Sequence, residues 1–226
     1  MIQYRNYVMC FYNIHTHFTV SEPNIHEIVN CIIEKQKYPS LDALLFYSVG
    51  IHPWYIYNIE EQIHTLKSIV ARPNVLAIGE IGLDKLSNVP FDIQQAVFKE
   101  SAQVAEKERK PLIIHCVKAW AEIIGFKKQI KPAVPWIIHG FRGNSELAKQ
   151  LLDQGLYLSF GEQFQTKALQ KTWDNSHLFA ETDDKKTDIR AVYHHIATTL
   201  AIPLEELTIQ IEKNTKALFP SLLARH

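Results

Sequence analysis

The sequence predicts an α/β fold, a TIM-like (β/α) barrel, on three observations. Short, near-continuous apolar runs alternate with amphipathic helical patterns, which indicates a parallel sheet covered on both faces. No GxGxxG or P-loop motif opens the chain, as an open doubly wound sheet would commonly require. Polar residues suited to ligation end apolar runs spread from residue 15 to residue 183, and only a barrel brings so many strand ends around one mouth.

The runs read as strands are 9–14, 43–50, 76–83, 112–115, 136–139, 156–160 and 178–182. Between them, Ile25, Ile28, Val29 and Ile32 recur at three and four residues and predict a helix. Ile63, Leu66, Ile69 and Val70 predict a second. Over 93–109, Val97, Ser101, Val104 and Ala105 share one face, and the pattern stops before Lys110-Pro111. Asn144-Ser145 opens a helix that closes at Gly155. Two terminal helices, 189–201 and 204–218, are separated at Pro203. That makes seven strands, where a full barrel has eight and typically about 250 residues. The expected architecture is therefore a distorted barrel one βα unit short, with the gap between His17 and Gly50.

At 226 residues the chain can bury one substantial core, and residues 1–226 are read as one domain. Apolar residues make up 46% and charged residues 21%, and 24 Lys and Arg balance 24 Asp and Glu. No strong field drives general attachment to nucleic acid or membrane. The apolar runs are too short to span a bilayer. The N-terminal stretch after Arg5 is interrupted by His15 and His17 without a small-residue cleavage site. Three cysteines, Cys10, Cys31 and Cys116, show no CxxC spacing, so a cytoplasmic location is expected. The chain is separately expected to be a monomer.

His15 and His17 end the first run, and on an extended strand residues i and i+2 project side by side. Glu80, His115, His139 and Asp183 each end a later run. Singly, a histidine is more often structural, and a strand-end carboxylate can pair with a lysine. The coincidence of six ligand-type residues at the same end of five strands shifts the weight to a metal site. The imidazole and carboxylate set suits Zn, Mn or Fe better than Ca. Six ligands exceed the four of one tetrahedral zinc, which predicts two divalent metal ions bridged by a carboxylate. Zn, Mn and Mg are the candidates. Ile51-His52-Pro53-Trp54 puts His52 on a stiffened turn, either packed under the rim or facing a substrate. Gly79 and Gly82 around Glu80 allow close approach of backbone or ions.

The ordered set HxH, Gly-Ile-His-Pro, Gly-Glu-Ile-Gly-Leu-Asp, Ile-His, Ile-His-Gly-Phe and Glu-Thr-Asp, from His15 to Asp184, resembles the TatD-type metal-dependent deoxyribonucleases of the amidohydrolase superfamily. The resemblance implies a metal-dependent hydrolase barrel that cleaves phosphodiester bonds through a metal-activated water. It also implies that His15, His17 and Asp183 hold one ion, and that Glu80 bridges to a second held by His115 and His139. Asp183 and Glu80 would be the catalytic carboxylates, Asp183 orienting or deprotonating the water.

Three positions depart from that pattern. Asn13 stands where the family usually has Asp, Lys118 follows Ile114-His115 where an Arg is frequent, and Asp184-Lys185-Lys186 replaces Ala-Pro. Lys118, Arg142, Lys185 and Lys186 are candidates for substrate phosphates, or else solvated surface charge. Trp54 can stack a terminal base, while Phe141 fits core packing better. The expected substrate is a DNA end, a single strand or a small phosphodiester, because a neutral chain binds long duplex weakly. The rival readings are an ester or amide hydrolase using the same centre, and a metal-binding scaffold without activity.

Overall fold

The computed structural model describes residues 9–20, 22–34 and 40–223. Arg5 and the start of the N-terminal apolar stretch lie outside the described residues. Eight parallel strands pair in chain order: β1 (Phe11–Thr16), β2 (Ile25–Ile32), β3 (Phe46–Gly50), β4 (Val75–Asp84), β5 (Leu112–Val117), β6 (Trp136–Ile138), β7 (Tyr157–Phe160) and β8 (Leu178–Ala180). The sheet curls into a nearly closed barrel. Thr16 bridges to Asp183, the Asp183 N–H donates to the His15 carbonyl at 3.0 Å, and the His17 N–H donates to the Asp183 carbonyl at 3.0 Å.

Outside the strands lie α1 (Ile59–Ile69), α2 (Phe91–Glu108), α3 (Trp120–Ile130), α4 (Ser145–Leu152), α5 (Thr166–Asp174), α6 (Ile189–Leu200) and α7 (Leu204–Leu218). Their starts follow local chemistry. Asn58 and Asn144 accept hydrogen bonds from the N–H groups of Glu61 and Leu147, which satisfies donors that a helix N-terminus otherwise leaves bare. Arg109 ends α2 in the left-handed conformation, φ 53°. The apolar faces read from the sequence are the buried ones: Ile63, Leu66 and Ile69 on α1, and Val97, Ser101, Val104 and Ala105 on α2. Among the described residues no helix is long and apolar enough to cross a membrane.

The barrel is not a strand short. Residues 25–32 form β2 rather than the expected helix, and it pairs with β1 and β3. Ile25, Ile28 and Val29 are all buried, so the segment is apolar on both faces, and this mimics helical spacing over eight residues. α3 and α5 are two further helices that the pattern left unassigned.

Glycines let β4 and β5 approach closely. A Cβ on Gly79 would lie 2.6 Å from the Ile113 Cβ, and one on Gly82 would lie 1.9 Å from the His115 carbonyl oxygen. That spacing brings His115 alongside Glu80.

β1 meets β8 only near its end, so the backbone of Tyr12 takes another partner. Its N–H donates to the Tyr193 hydroxyl of α6 at 2.9 Å, and that hydroxyl donates to the Tyr12 carbonyl at 3.0 Å. All three groups are buried. Tyr193→Phe should lower the unfolding free energy by about 1–3 kcal/mol, the cost of orphaning buried polar groups, measured by urea denaturation.

Candidate metal centre

The six residues singled out as ligands converge at the C-terminal rim. Glu80 stands at their centre, 4% exposed and within β4 rather than at its end. Its two oxygens face different groups. Oε1 lies 2.8 Å from His115 Nδ1, 2.8 Å from His139 Nε2 and 3.2 Å from His52 Nε2. Oε2 lies 3.6 Å from His15 Nε2 and 3.9 Å from His17 Nε2. Asp183 Oδ1 closes the second group, 3.4 Å from His15 Nε2 and 3.6 Å from His17 Nε2. Potential ligand atoms of His15, His17 and Asp183 lie within 4.8 Å of one another, and so do those of His52, Glu80 and His115.

His15 tests whether these residues suit a cation. It is fully buried, and neither ring nitrogen has a hydrogen-bond partner among the described residues. Its Nε2 is aimed at two carboxylate oxygens, at 3.4 and 3.6 Å. Atoms sharing one cation with bonds near 2.1 Å lie roughly 3–3.5 Å apart. A buried imidazole without a hydrogen bond, beside ionised carboxylates at that spacing, fits a divalent ion.

The surrounding shell fixes ring orientation. His139 Nδ1 lies 3.3 Å from Glu181 Oε1, which also accepts from the Gly140 N–H at 2.7 Å. His115 Nε2 lies 3.3 Å from Asp84 Oδ2, and that oxygen accepts from the Trp54 indole at 2.6 Å. Each ring therefore turns its other nitrogen toward Glu80, the usual arrangement of carboxylate-backed ligands. His52 differs. Its Nδ1 accepts from the Trp54 backbone N–H at 3.1 Å, so its proton sits on Nε2 and is donated to Glu80. Burial pushes its pKa down and keeps it neutral. It braces Glu80 and is only 4% exposed.

The phosphate candidates divide. Lys118 and Arg142 are exposed and line a cleft of about 550 Å³ with His115, His139, Trp54 and Trp120. Lys185 pairs with Asp184 at 2.9 Å, and Lys186 lies over the Phe18 ring at 5.2 Å. Phe141 is fully buried between Trp120 and Phe160 and belongs to the core. Asn13 donates to Thr182 Oγ1 at 2.9 Å and accepts from the Thr182 N–H at 3.1 Å, so it acts on the residue before Asp183. Asn30, Asp84 and Glu181 were not singled out from the sequence. Glu181 and Asp84 lie inside the quoted motifs, whereas Asn30 was hidden in the segment read as helix.

A parallel barrel with imidazoles and carboxylates gathered at its C-terminal mouth defines a barrel-type metal-dependent hydrolase. The chain belongs to the TatD related DNase family, whose model matches residues 8–220. YabD of Bacillus subtilis (strain 168), an uncharacterized metal-dependent hydrolase, is 29% identical over 197 residues, 77% of each chain. The 3'-5' ssDNA/RNA exonuclease TatD of Citrobacter koseri is 30% identical over 141 residues, 60% of this chain and 52% of that protein. The crystal structure of YjjV, a TatD homologue from Escherichia coli K12, has the same fold. It superposes with a TM-score of 0.78 at 20% identity, covering 94% of this chain and 99% of that one.

Charge sets the pH response of the centre. Burial pushes the Glu80 carboxyl up, but His139 and the hydrogen bonds from His115, His139 and His52 outweigh it and hold it well below the usual range. Burial also opposes ionisation of Asp183, yet His15 and His139 bring it down to about 2. Burial alone would lower His139, but Glu80 and Glu181 raise it well above an ordinary imidazole. At neutral pH the carboxylates are therefore already ionised, and an entering cation must displace a proton from His139. Mn²⁺ uptake should release protons, and affinity should fall as pH drops from about 8 to 5, because protons compete with the cation for His139. Calorimetric titrations in buffers of different ionisation enthalpy measure both effects.

Proposed function

We propose that this chain is a two-ion phosphodiesterase acting on DNA ends, single strands or small phosphodiesters. The observation that carries this reading is Glu80, whose two oxygens face two separate sets of ligand-type residues. His15, His17 and Asp183 would hold one divalent ion, His115 and His139 the other, with Glu80 between them. Bound there, such ions supply Lewis acidity, which can bring the pKa of water from about 15.7 toward 7.

The chain's own residues supply position and charge. Asp183, with its carboxyl at about 2, is a weak base, suited to accepting a hydrogen bond that orients the attacking water. Lys118 and Arg142, on the rim of the cleft, offer a point charge and a planar fork to phosphate oxygens. Trp54 is 54% exposed with its indole N–H pinned to Asp84, which suits it to stack a terminal base at the rim. A cleft of about 550 Å³ has room for a terminal nucleotide and not for a long duplex.

The test compares hydrolysis of bis-p-nitrophenyl phosphate, a single-stranded oligonucleotide and an acyl ester by Mn²⁺- or Zn²⁺-loaded protein. The two phosphodiesters should turn over and the acyl ester should not. Preference for the ester would replace this reading with the ester or amide hydrolase. Lys118→Ala should raise KM for the oligonucleotide more than it lowers kcat, because its charge faces ground state and transition state alike.

Metal content provides a separate check. Glu80→Ala should lose metal from both positions, and His139→Ala should mainly empty one, measured by elemental analysis. Wild-type stoichiometry in both variants would refute the bridging role.

A further inference from the structure

Glu80 is held from two sides, and only one holder belongs to the motifs that mark the site. His52 braces Oε1, as described above. Oε2 is held by Asn30, which projects from β2. The Asn30 Nδ2 donates to Glu80 Oε2 at 3.1 Å, and the Glu80 backbone N–H donates to Asn30 Oδ1 at 3.0 Å. The second hydrogen on Nδ2 faces His17 Nε2 at 3.3 Å. One side chain thus grips the carboxylate, the peptide that carries it, and a neighbouring ring.

Few residue types can do this. The Glu80 N–H needs an acceptor and the Glu80 carboxylate needs a donor, and an amide presents both in one plane. An Asp at 30 keeps the acceptor but would set a second carboxylate against Oε2. A Leu, with the same branching but larger methyl ends, keeps neither.

We propose that Asn30 is a positioning residue that fixes the Glu80 carboxylate for cation binding. The proposal rests on the reading of Glu80 as a ligand and is independent of which bond the protein cleaves. It also gives β2 a function beyond completing the barrel, because it carries a donor to the oxygen that faces His15 and His17.

The experiment compares unaltered protein with Asn30→Asp and Asn30→Leu, using Mn²⁺ alone as the probe. Affinity and stoichiometry are read by calorimetry, and geometry by the visible absorption of Co²⁺-loaded protein. Groups behind a metal ligand typically contribute about 10–100-fold to affinity, so both variants should bind Mn²⁺ at least about tenfold more weakly. Asn30→Asp should also shift the Co²⁺ bands while its thermal unfolding stays near that of unaltered protein. A purely structural Asn30 would move unfolding and leave the Co²⁺ spectrum alone. Asn30→Asp with unaltered or tighter Mn²⁺ binding, or an unshifted Co²⁺ spectrum, overturns the proposal. Should Asn30→Leu fail to fold, Asn30→Asp decides by itself. Unaltered protein that cleaves no phosphodiester, with Asn30→Asp still weak for Mn²⁺, would end the phosphodiesterase reading and leave the role of Asn30 standing.

Discussion

A carboxylate buried to 4% exposure at the heart of a barrel is costly unless nearly every lone pair is met, and the mouth of this protein is arranged around meeting those of Glu80. Three imidazoles lie within hydrogen-bond distance of one oxygen, and the Asn30 amide donates to the other, which His15 and His17 face from 3.6 and 3.9 Å. The side chains come from five strands or the segments that follow them, so no local stretch of sequence could assemble this environment. It depends on the barrel closing.

Closure and site are one piece of chemistry. The seam between β1 and β8 is made by two backbone hydrogen bonds that link Asp183 with His15 and His17. The same pairing fixes the spacing of the Asp183 carboxylate from both rings. Asp183 holds φ 54°, a left-handed conformation that Asp tolerates better than most residues. The chain there turns out of the strand direction while its side chain stays at the rim. Strain of this sort persists only where surrounding structure over-determines it. Here Thr182 supplies that support, held through its N–H and hydroxyl by Asn13 and through its hydroxyl also by Thr16.

Much of this was legible in the sequence because ligands at strand ends need particular residue types, and those types are conspicuous after apolar runs. His15, His17, Glu80, His115, His139 and Asp183 stand together as the spacing predicts. Residues whose work is to hold a ligand were harder to read. Asn30 reaches Glu80 across 50 residues of chain, and nothing in its own neighbourhood marks it. The segment around it also satisfies two periods at once. Ile25, Ile28, Val29 and Ile32 fit a helix by spacing, yet a strand buried on both faces has the same letters, and only pairing with β1 and β3 decides. What the region before Gly50 lacks is therefore helices among its described residues, not a strand.

The same strand accounts for the asparagine at position 13. The family pattern favours an aspartate there, and its loss looks at first like a weakened site. β2 places Glu27 beside it, with the Asn13 amide 3.5 Å from Glu27 Oε1. Burial already pushes the Glu27 carboxyl up, against hydrogen bonds from the Val20 N–H and Asn13 that bring it down. An aspartate at 13 would face that carboxylate with a second charge and would lose the donor that holds the Thr182 hydroxyl. An amide removes the repulsion and keeps both bonds to Thr182. With Glu27 on β2, Asn13 is the residue that secures the segment carrying Asp183. The departure is thus a local match between two strands, made without touching a single candidate ligand.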